Sequence, residues 1–275
     1  MLRCWALIKI TSVFLLGNYG SDFIIGIIVM QLLGHLLSDP RQAWPSEARR
    51  FLCIDVQGKG GRHFYYSVHA FAQGGAHRVL NFGKAWSVEE LRSVMTEWKV
   101  PSQNVAIDSG HFTAEVYGYV LESGVLPNGD YAWKCLKGDR APHYTIEGLR
   151  QPFTWSFVDP YMGKANQGQV RPIRQVLFSK PTLLDRAEAQ MRGLGPKLEI
   201  PAGEDQIHEY QMQLTAYERF EKTAANGEVK VEWVQKRPDD HWGSCDSKAR
   251  GTLVIEDPTA GHAEAKAETR HQENV

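Results

Sequence analysis

The chain has 275 residues, of which 43% are hydrophobic and 23% are charged, and its 31 basic and 32 acidic residues leave a formal charge of -1. This composition is that of a globular protein, and it excludes a disordered acidic chain, a collagen-like repeat and a small disulfide-stapled fold. The balanced charge also excludes nucleic-acid binding through overall basicity, so any such role must depend on a local site. Four widely spaced cysteines form no C-x-x-C pair, so we read no zinc or redox motif from them and expect a reducing compartment: Cys4, Cys53, Cys135 and Cys245.

Residues 1–50 form an apolar segment followed by a linker. The runs 5–17 and 23–37 are apolar, but polar residues separate them and neither reaches the roughly 18 residues of a membrane-spanning helix. Lys9 lies inside the first run, and no convincing small-x-small cleavage site follows it. We therefore expect a buried or partner-covered helical segment and no membrane partner, with a signal peptide and a membrane anchor as the less favoured alternatives.

The chain after residue 50 alternates strands and helices in an informative order. Strand-like runs separated by glycine turns or helices occupy residues 51–57, 63–72, 76–86, 104–108 and 131–138. Ser87 opens a capping box for a first helix after the third run, and Thr113 can cap a second helix after the fourth run. The first three strands predict an antiparallel meander.

A helical crossover from the third strand makes the first strand the natural parallel neighbour of the fourth. The sequence therefore predicts an α/β ribonuclease-H-like domain over residues 51–255, with a mixed sheet of a meander plus parallel strands flanked by helices. The polar residues 256–275 are expected to be a disordered tail.

Two aspartates in these apolar strands are the candidate functional groups. Asp55 lies in the middle of the first strand and Asp108 ends the fourth, so the predicted sheet brings them together at one edge. Burying a lone carboxylate is costly unless it is paired, hydrogen-bonded or bound to a metal. Two neighbouring carboxylates suit Mg²⁺ or Mn²⁺, and two such ions can cleave a phosphodiester. The alternative is that each aspartate only ends a strand or caps a helix.

The later part of the chain adds weaker signals. Residues 139–180 are basic with interleaved aromatic residues, which fits either a track for a DNA backbone or a solvated face over a small sheet extension. A strand over 174–180, a helix from Pro181, a helix over about 206–223 and a strand over 228–236 are predicted. His111 and His241 lie beside candidate carboxylates in the sequence and could contact a phosphate or a ligand water.

Four blocks of this sequence resemble the nuclease domain of the large terminase subunit of tailed bacteriophages. They are FLCIDVQ (51–57), VAIDSGHFTAEVYGYV (105–120), WKCLKG (133–138) and the stretch from HEYQMQLTAYERF (208–220) to RPDDHWGSC (237–245). The resemblance implies a ribonuclease-H-like fold and a metal-dependent endonuclease that cuts concatemeric viral DNA into genome lengths.

The resemblance also implies site residues. Asp55 matches the family's first metal-binding aspartate and Asp108 its second acidic position. The late block commonly reads Asn-His-x-x-Asp-Cys in the family, whereas Ser244 stands here where the aspartate is expected. Either Asp240 or Asp246 is the expected third catalytic and metal-binding carboxylate; the alternative is a weakened or dead site.

The chain departs from complete large terminases because it has no G-x-x-x-x-G-K-[ST] phosphate loop and so no ATPase domain. The expected partners are therefore double-stranded DNA and a separate packaging ATPase, with the small terminase subunit and the portal, in the host cytoplasm of a phage or prophage. Two other functions stay open: a weakened interaction module of the packaging machine, and another ribonuclease-H-like nuclease such as a junction resolvase.

Overall fold

The computed structural model describes residues 46–256, except 59–60, 74, 147, 162–169, 195, 201–206, 224–226 and 228. The predicted apolar segment and most of its linker, and the predicted tail beyond Glu256, lie outside these residues. No helix within the described part is both long enough and apolar enough to cross a membrane.

Twelve strands and five helices make up the described part. The strands are β1 (Glu47–Gln57), β2 (His63–Ala72), β3 (His77–Ala85), β4 (Val105–Asp108), β5 (Lys134–Asp139), β6 (Tyr144–Ile146), β7 (Leu149–Gln151), β8 (Phe153–Val158), β9 (Ile173–Ser179), β10 (Leu198–Glu199), β11 (Tyr217–Thr223) and β12 (Val229–Gln235). The helices are α1 (Val88–Glu97), α2 (Thr113–Glu122), α3 (Lys180–Met191), α4 (Ile207–Leu214) and α5 (His241–Glu256).

Eight strands form one mixed sheet in the order β10-β3-β2-β1-β4-β5-β9-β8. The pairs β1–β2 and β2–β3 are antiparallel, whereas β4 runs parallel to β1 and β5 runs parallel to β4. A meander continued by parallel strands on the far side of the first strand is the ribonuclease-H-like arrangement, so the predicted fold class is confirmed. Ile54 pairs with Ile107 in the β1–β4 register, which makes Asp55 and Asp108 the next neighbours across these strands.

The alternation of β1 decides which helices meet which of its residues. Leu52, Ile54 and Val56 face a core that also contains residues of α1 and α2. Phe51 and Cys53 face the opposite core, which contains Cys245 and Ala249 of α5. Because side chains two apart in a strand share a face, Asp55 points to the α5 side of the sheet.

Local signals in the sequence account for the starts of several helices. The Ser87 side chain accepts a hydrogen bond from the Glu90 backbone N–H, as the capping box predicts for α1. Ser179 does the same for α3 by accepting from Thr182 N–H, with Pro181 in the first turn. Thr113 is instead the first residue of α2: Phe112 is the capping residue, with a left-handed backbone (φ 54°), and the Thr113 hydroxyl donates to the Ser109 carbonyl.

The helix predicted over 206–223 is wrong in its second half. Helix α4 ends at Leu214, and Tyr217 begins β11, which pairs antiparallel with β12. Tyr217 and Phe220 are therefore strand residues. Alternation is ambiguous over so short a stretch, and the pairing with β12 selects the strand.

Candidate metal and nuclease site

Asp55 and Asp108 meet at one lysine. The Lys248 Nζ lies 3.1 Å from Asp55 Oδ1 and 3.0 Å from Asp108 Oδ2. Asp55 is 5% exposed and Lys248 is fully buried, while the Asp108 side chain retains 18% of its exposure. The two carboxylates that the sequence analysis placed at one sheet edge thus share a single ammonium group.

The remaining oxygen of Asp55 is also bound. Its Oδ2 accepts a hydrogen bond from Gln57 Nε2 at 2.6 Å and lies 3.0 Å from His241 Nδ1. The His241 ring stacks on Tyr65 with 4.4 Å between ring centroids, which fixes its orientation. His241, which was expected to contact a phosphate or a ligand water, contacts Asp55 directly.

Asp108 and Lys248 are held by residues close to them in the chain. Asp108 Oδ1 accepts from the Gly110 backbone N–H at 2.8 Å. Lys248 Nζ is 2.7 Å from Ser244 Oγ, which lies four residues earlier and so on the same face of α5. Ser244, which stands where an aspartate was expected, therefore lies at the site. Its hydroxyl binds the lysine.

Charge dominates this arrangement. Burial alone would raise the pKa of Asp55, but the Lys248 ammonium and the His241 contact outweigh it and hold that pKa below its ordinary value. Burial alone would lower the pKa of Lys248, but the Asp108 and Asp55 carboxylates outweigh it and raise that pKa. Asp55 is thus ionised, and the Lys248 ammonium lies between it and Asp108.

The position of the Lys248 ammonium between two carboxylates, called the cation position below, suits a divalent metal ion. Carboxylate oxygens are the ligands that Mg²⁺ and Mn²⁺ prefer, and the lysine ammonium is the positive group that stands between them here. A cleft of about 210 Å³ opens beside Asp108 and is also lined by His111, Lys180 and Asp240. The cleft gives a substrate access to the Asp108 side of the pair.

Asp240 lies in this cleft with two partners of its own. Its Oδ2 accepts from Tyr217 OH at 2.6 Å and lies 3.3 Å from Lys180 Nζ. Burial and the Asp240 carboxylate both raise the pKa of Tyr217, so the phenol stays protonated and keeps donating to Asp240.

The structure does not bring Asp246 to the pair. Asp246 is 1% exposed, and its contacts are with Arg250, His69 and His77, none of which touches Asp55 or Asp108 among the described residues. Burial lowers the pKa of His69 to about 4, and burial together with Arg250 holds the pKa of His77 well below its ordinary value. Both imidazoles are therefore neutral at pH 7.

The basic stretch of residues 139–180 forms strands β6–β9 and the start of α3. Phe157 is 67% exposed, and Arg174 stacks over the half-exposed Trp155 with 4.9 Å from guanidinium to ring centroid. The predicted sheet extension is present, because β8 and β9 join the main sheet. Lys164 falls among the residues that are not described.

Sequence reasoning missed Lys248, His69 and His77. The local signal for Lys248 is its spacing of four from Ser244, which has meaning only once residues 241–256 are known to be helical. Both histidines lie in the predicted strands, but only the β2–β3 pairing brings them together.

Comparisons with known proteins add a structural likeness. No family model and no curated protein matches the chain. A solved mutant nuclease domain of the large terminase subunit gp2 of bacterial virus Sf6, with manganese and beta-thujaplicinol, is similar at a TM-score of 0.43 and 12% identity. The likeness covers 75% of this chain and 89% of that one. At these values it supports no conclusion about the site of this chain.

Proposed function

We propose that this protein is a metal-dependent DNA endonuclease of the phage packaging-terminase type. The observation that carries the proposal is that Asp55 and Asp108 both contact the Lys248 ammonium. They lie toward the ends of the adjacent parallel strands β1 and β4 of a ribonuclease-H-like sheet. The resemblance of the four sequence blocks supports the terminase assignment, with concatemeric double-stranded DNA as substrate. A packaging ATPase, the small terminase subunit and the portal are the proposed partners.

Asp55 and Asp108 are the proposed ligands of two Mg²⁺ or Mn²⁺ ions. When bound, such ions supply Lewis acidity and an activated water for phosphodiester hydrolysis. Asp240 and Asp246 both line the same cleft as Asp108, and Asp240 is the proposed third carboxylate because its partners Tyr217 and Lys180 line that cleft too. We assign Asp246 no contact with these ions, since its carboxylate is committed to Arg250 and faces the two histidines.

Other side chains prepare the site. Gln57 and His241 orient Asp55 through its Oδ2, which leaves Oδ1 toward the cation position. Lys248 keeps the Asp55 carboxylate ionised before a metal binds, and its hydrogen bond to Ser244 gives its ammonium a second anchor. Lys180, at the rim of the cleft, is positioned to bind a DNA phosphate.

A plasmid-cleavage assay tests this function. The full chain is incubated with supercoiled double-stranded plasmid and Mn²⁺, and the nicked and linear products are quantified for wild type, Asp55→Asn and Asp108→Asn. We expect cleavage by wild type and its loss in both variants. Asp130→Asn is the matched control, because this carboxylate pairs with Arg174 away from the site and its removal should leave cleavage unchanged. Equal cutting by all four proteins, or none by wild type, contradicts the proposal.

A second candidate is a catalytically weakened module of the packaging machine. The observation that favours it is that Lys248 already occupies the cation position and that Ser244 supplies no carboxylate there. Ser244→Asp separates the two candidates. A large gain of Mn²⁺-dependent cleavage from an inactive wild type favours the weakened site, whereas an active wild type that gains nothing favours Asp240 as the third ligand.

A further inference from the structure

A second group of metal-ligating side chains lies apart from the carboxylate pair. His69 on β2, His77 on β3 and Asp246 on α5 are all buried, and each offers one ligand atom within 4.8 Å of the others. The group connects two strands of the meander to the helix that carries Lys248. Nothing in the proposed nuclease reaction uses it.

The hydrogen bonds of the histidines leave one side of the cluster open. Ser67 Oγ lies 2.5 Å from His69 Nε2, and His69 Nδ1 lies 2.7 Å from His77 Nε2. If His69 donates from Nε2 to Ser67, its Nδ1 accepts from His77 Nε2–H, and a metal bound at His69 Nδ1 would take the place of this hydrogen bond. In the neutral tautomer of His77 that is protonated at Nε2, Nδ1 carries a lone pair and no proton.

That lone pair faces a carboxylate oxygen. His77 Nδ1 is 3.9 Å from Asp246 Oδ1, and neither atom has a hydrogen-bond partner within the part of the chain that the structure describes. Arg250 Nε donates to the other oxygen, Oδ2, at 2.8 Å, so Oδ1 is the open ligand atom. Two buried acceptors that face each other require a cation or a donor between them.

Two neighbouring polar atoms are open as well. Gln190 lies beside His77, and Tyr210 is close enough to Asp246 to feel its charge. Both side chains are buried, and neither Gln190 Oε1 nor Tyr210 OH has a partner among the described residues. Gln190 is thus a polar side chain within hydrogen-bond reach of the cluster.

We propose that His69, His77 and Asp246 bind one Zn²⁺ ion, with the Oε1 atom of Gln190, which lies beside His77, as a candidate fourth ligand. Zinc binds imidazole nitrogen and carboxylate oxygen at about 2.0–2.2 Å, so two such bonds at a tetrahedral angle hold their ligand atoms about 3.4 Å apart. The separations between Asp246 Oδ1 and the Nδ1 atoms of His77 and His69 are 3.9 and 4.0 Å, so the side chains must close by about half an ångström on the ion. The hydrogen bond from His69 Nε2 to Ser67 is the kind of second contact that orients a zinc-bound histidine.

The ion would be structural and would fasten α5 to the sheet. Asp246 is two residues from Lys248, so a bond from β2 and β3 to Asp246 fixes the helix that delivers Lys248 to the carboxylate pair. Access is available because Asp246 and Arg250 line the floor of the cleft beside Asp108. The positive Arg250 opposes the ion, and removing its charge should tighten binding.

Zinc content and affinity test this proposal with the full chain. After removal of metal with a chelator, Zn²⁺ is titrated against a chromophoric competitor, and the visible spectrum of the Co²⁺ form is recorded. We expect one Zn²⁺ per chain with a Kd of about 1 µM or tighter, and the intense visible bands of four-coordinate Co²⁺. His69→Gln and His77→Gln should each weaken binding by about 100-fold or more. Arg250→Gln should strengthen it, and Zn²⁺ should raise the melting temperature of wild type.

Two control variants separate this site from others on the chain. His208→Gln removes an exposed histidine of α4, and Asp108→Asn removes a member of the carboxylate pair; both should keep the zinc. If wild type does not bind zinc stoichiometrically, the proposal is overturned, and a buried water is the occupant of the cluster. Zinc that is retained by both histidine variants, or lost only in Asp108→Asn, overturns it too. If the histidine variants do not fold, wild type must still give the four-coordinate Co²⁺ spectrum, and a weak six-coordinate spectrum contradicts the proposal. None of these readouts depends on DNA cleavage.

Discussion

Replacing Lys248 with methionine removes the cation between the two carboxylates while preserving most of the apolar stem. In wild type this ammonium lies 3.1 Å from Asp55 and 3.0 Å from Asp108, in a fully buried position. The variant leaves two neighbouring carboxylates, one of them buried, with no ammonium between them. The perturbation is therefore electrostatic more than steric.

The expected cost follows from the burial of the pair. Removing one partner of a buried ion pair costs about 3–5 kcal/mol, because the remaining charge is left uncompensated. For a domain of this size each kcal/mol corresponds to a few degrees, so the melting temperature should fall by roughly 6–20 °C in chelator. A divalent ion that replaces the ammonium should restore about 2.7 kcal/mol at 100 times its Kd.

Urea unfolding followed by circular dichroism measures both effects. Lys248→Met and wild type are compared in EDTA and in Mn²⁺, and the recovery by Mn²⁺ should be larger in the variant. Lys180→Met is the matched control: its ammonium lies 3.3 Å from Asp240 but the side chain is 36% exposed, so its loss should cost only about 0–1 kcal/mol. A Lys248→Met variant as stable as wild type in EDTA, or one that Mn²⁺ does not recover, refutes the shared-cation reasoning.

Three further predictions test the fold around the site. Ser87→Ala should lower the free energy of unfolding by about 1 kcal/mol because α1 loses its cap, and an unchanged urea midpoint contradicts the assignment. Gly243→Ala should destabilise the protein by about 1–3 kcal/mol because its Cβ would lie 2.6 Å from the Gln213 carbonyl oxygen. Gly118→Ala, in open space on α2, should instead stabilise it by about 0.5–1 kcal/mol. If urea unfolding finds Gly243→Ala more stable than Gly118→Ala, the α4–α5 contact is contradicted. Burial raises the pKa of the Cys135 thiol to about 11, so the thiolate fraction should increase only as the pH approaches 11. A thiol reagent should therefore leave Cys135 of the folded protein unlabelled at pH 8. Peptide mapping that finds rapid labelling of Cys135 at pH 8 would count against the buried position of β5.

Much of the sheet and half of the candidate site could be predicted because they depend on connectivity. Short glycine loops between β1, β2 and β3 enforce a meander, and the handedness of the crossover through α1 places β4 beside β1. Asp55 and Asp108 then become neighbours without any knowledge of side-chain packing. The register of Ile54 with Ile107 is the structural form of that prediction.

Helix α5 could not be anticipated in the same way. Its buried positions include Asp246, Ser247, Lys248, Arg250 and Thr252, so it lacks the apolar stripe by which a packed helix is recognised. Its polar residues are buried because they meet polar partners on other elements: Asp55 on β1, Asp108 on β4 and the histidines on β2 and β3. Such partnerships depend on tertiary contacts between residues more than 100 positions apart.

The direct test of the central claim is a Mn²⁺ titration followed by electron paramagnetic resonance, in which bound manganese loses the signal of the free ion. We predict that wild type binds Mn²⁺, that Asp55→Asn and Asp108→Asn each weaken that binding by at least tenfold, and that His77→Gln leaves it unchanged. Wild-type affinity in both aspartate variants would show that the two carboxylates do not hold a metal together.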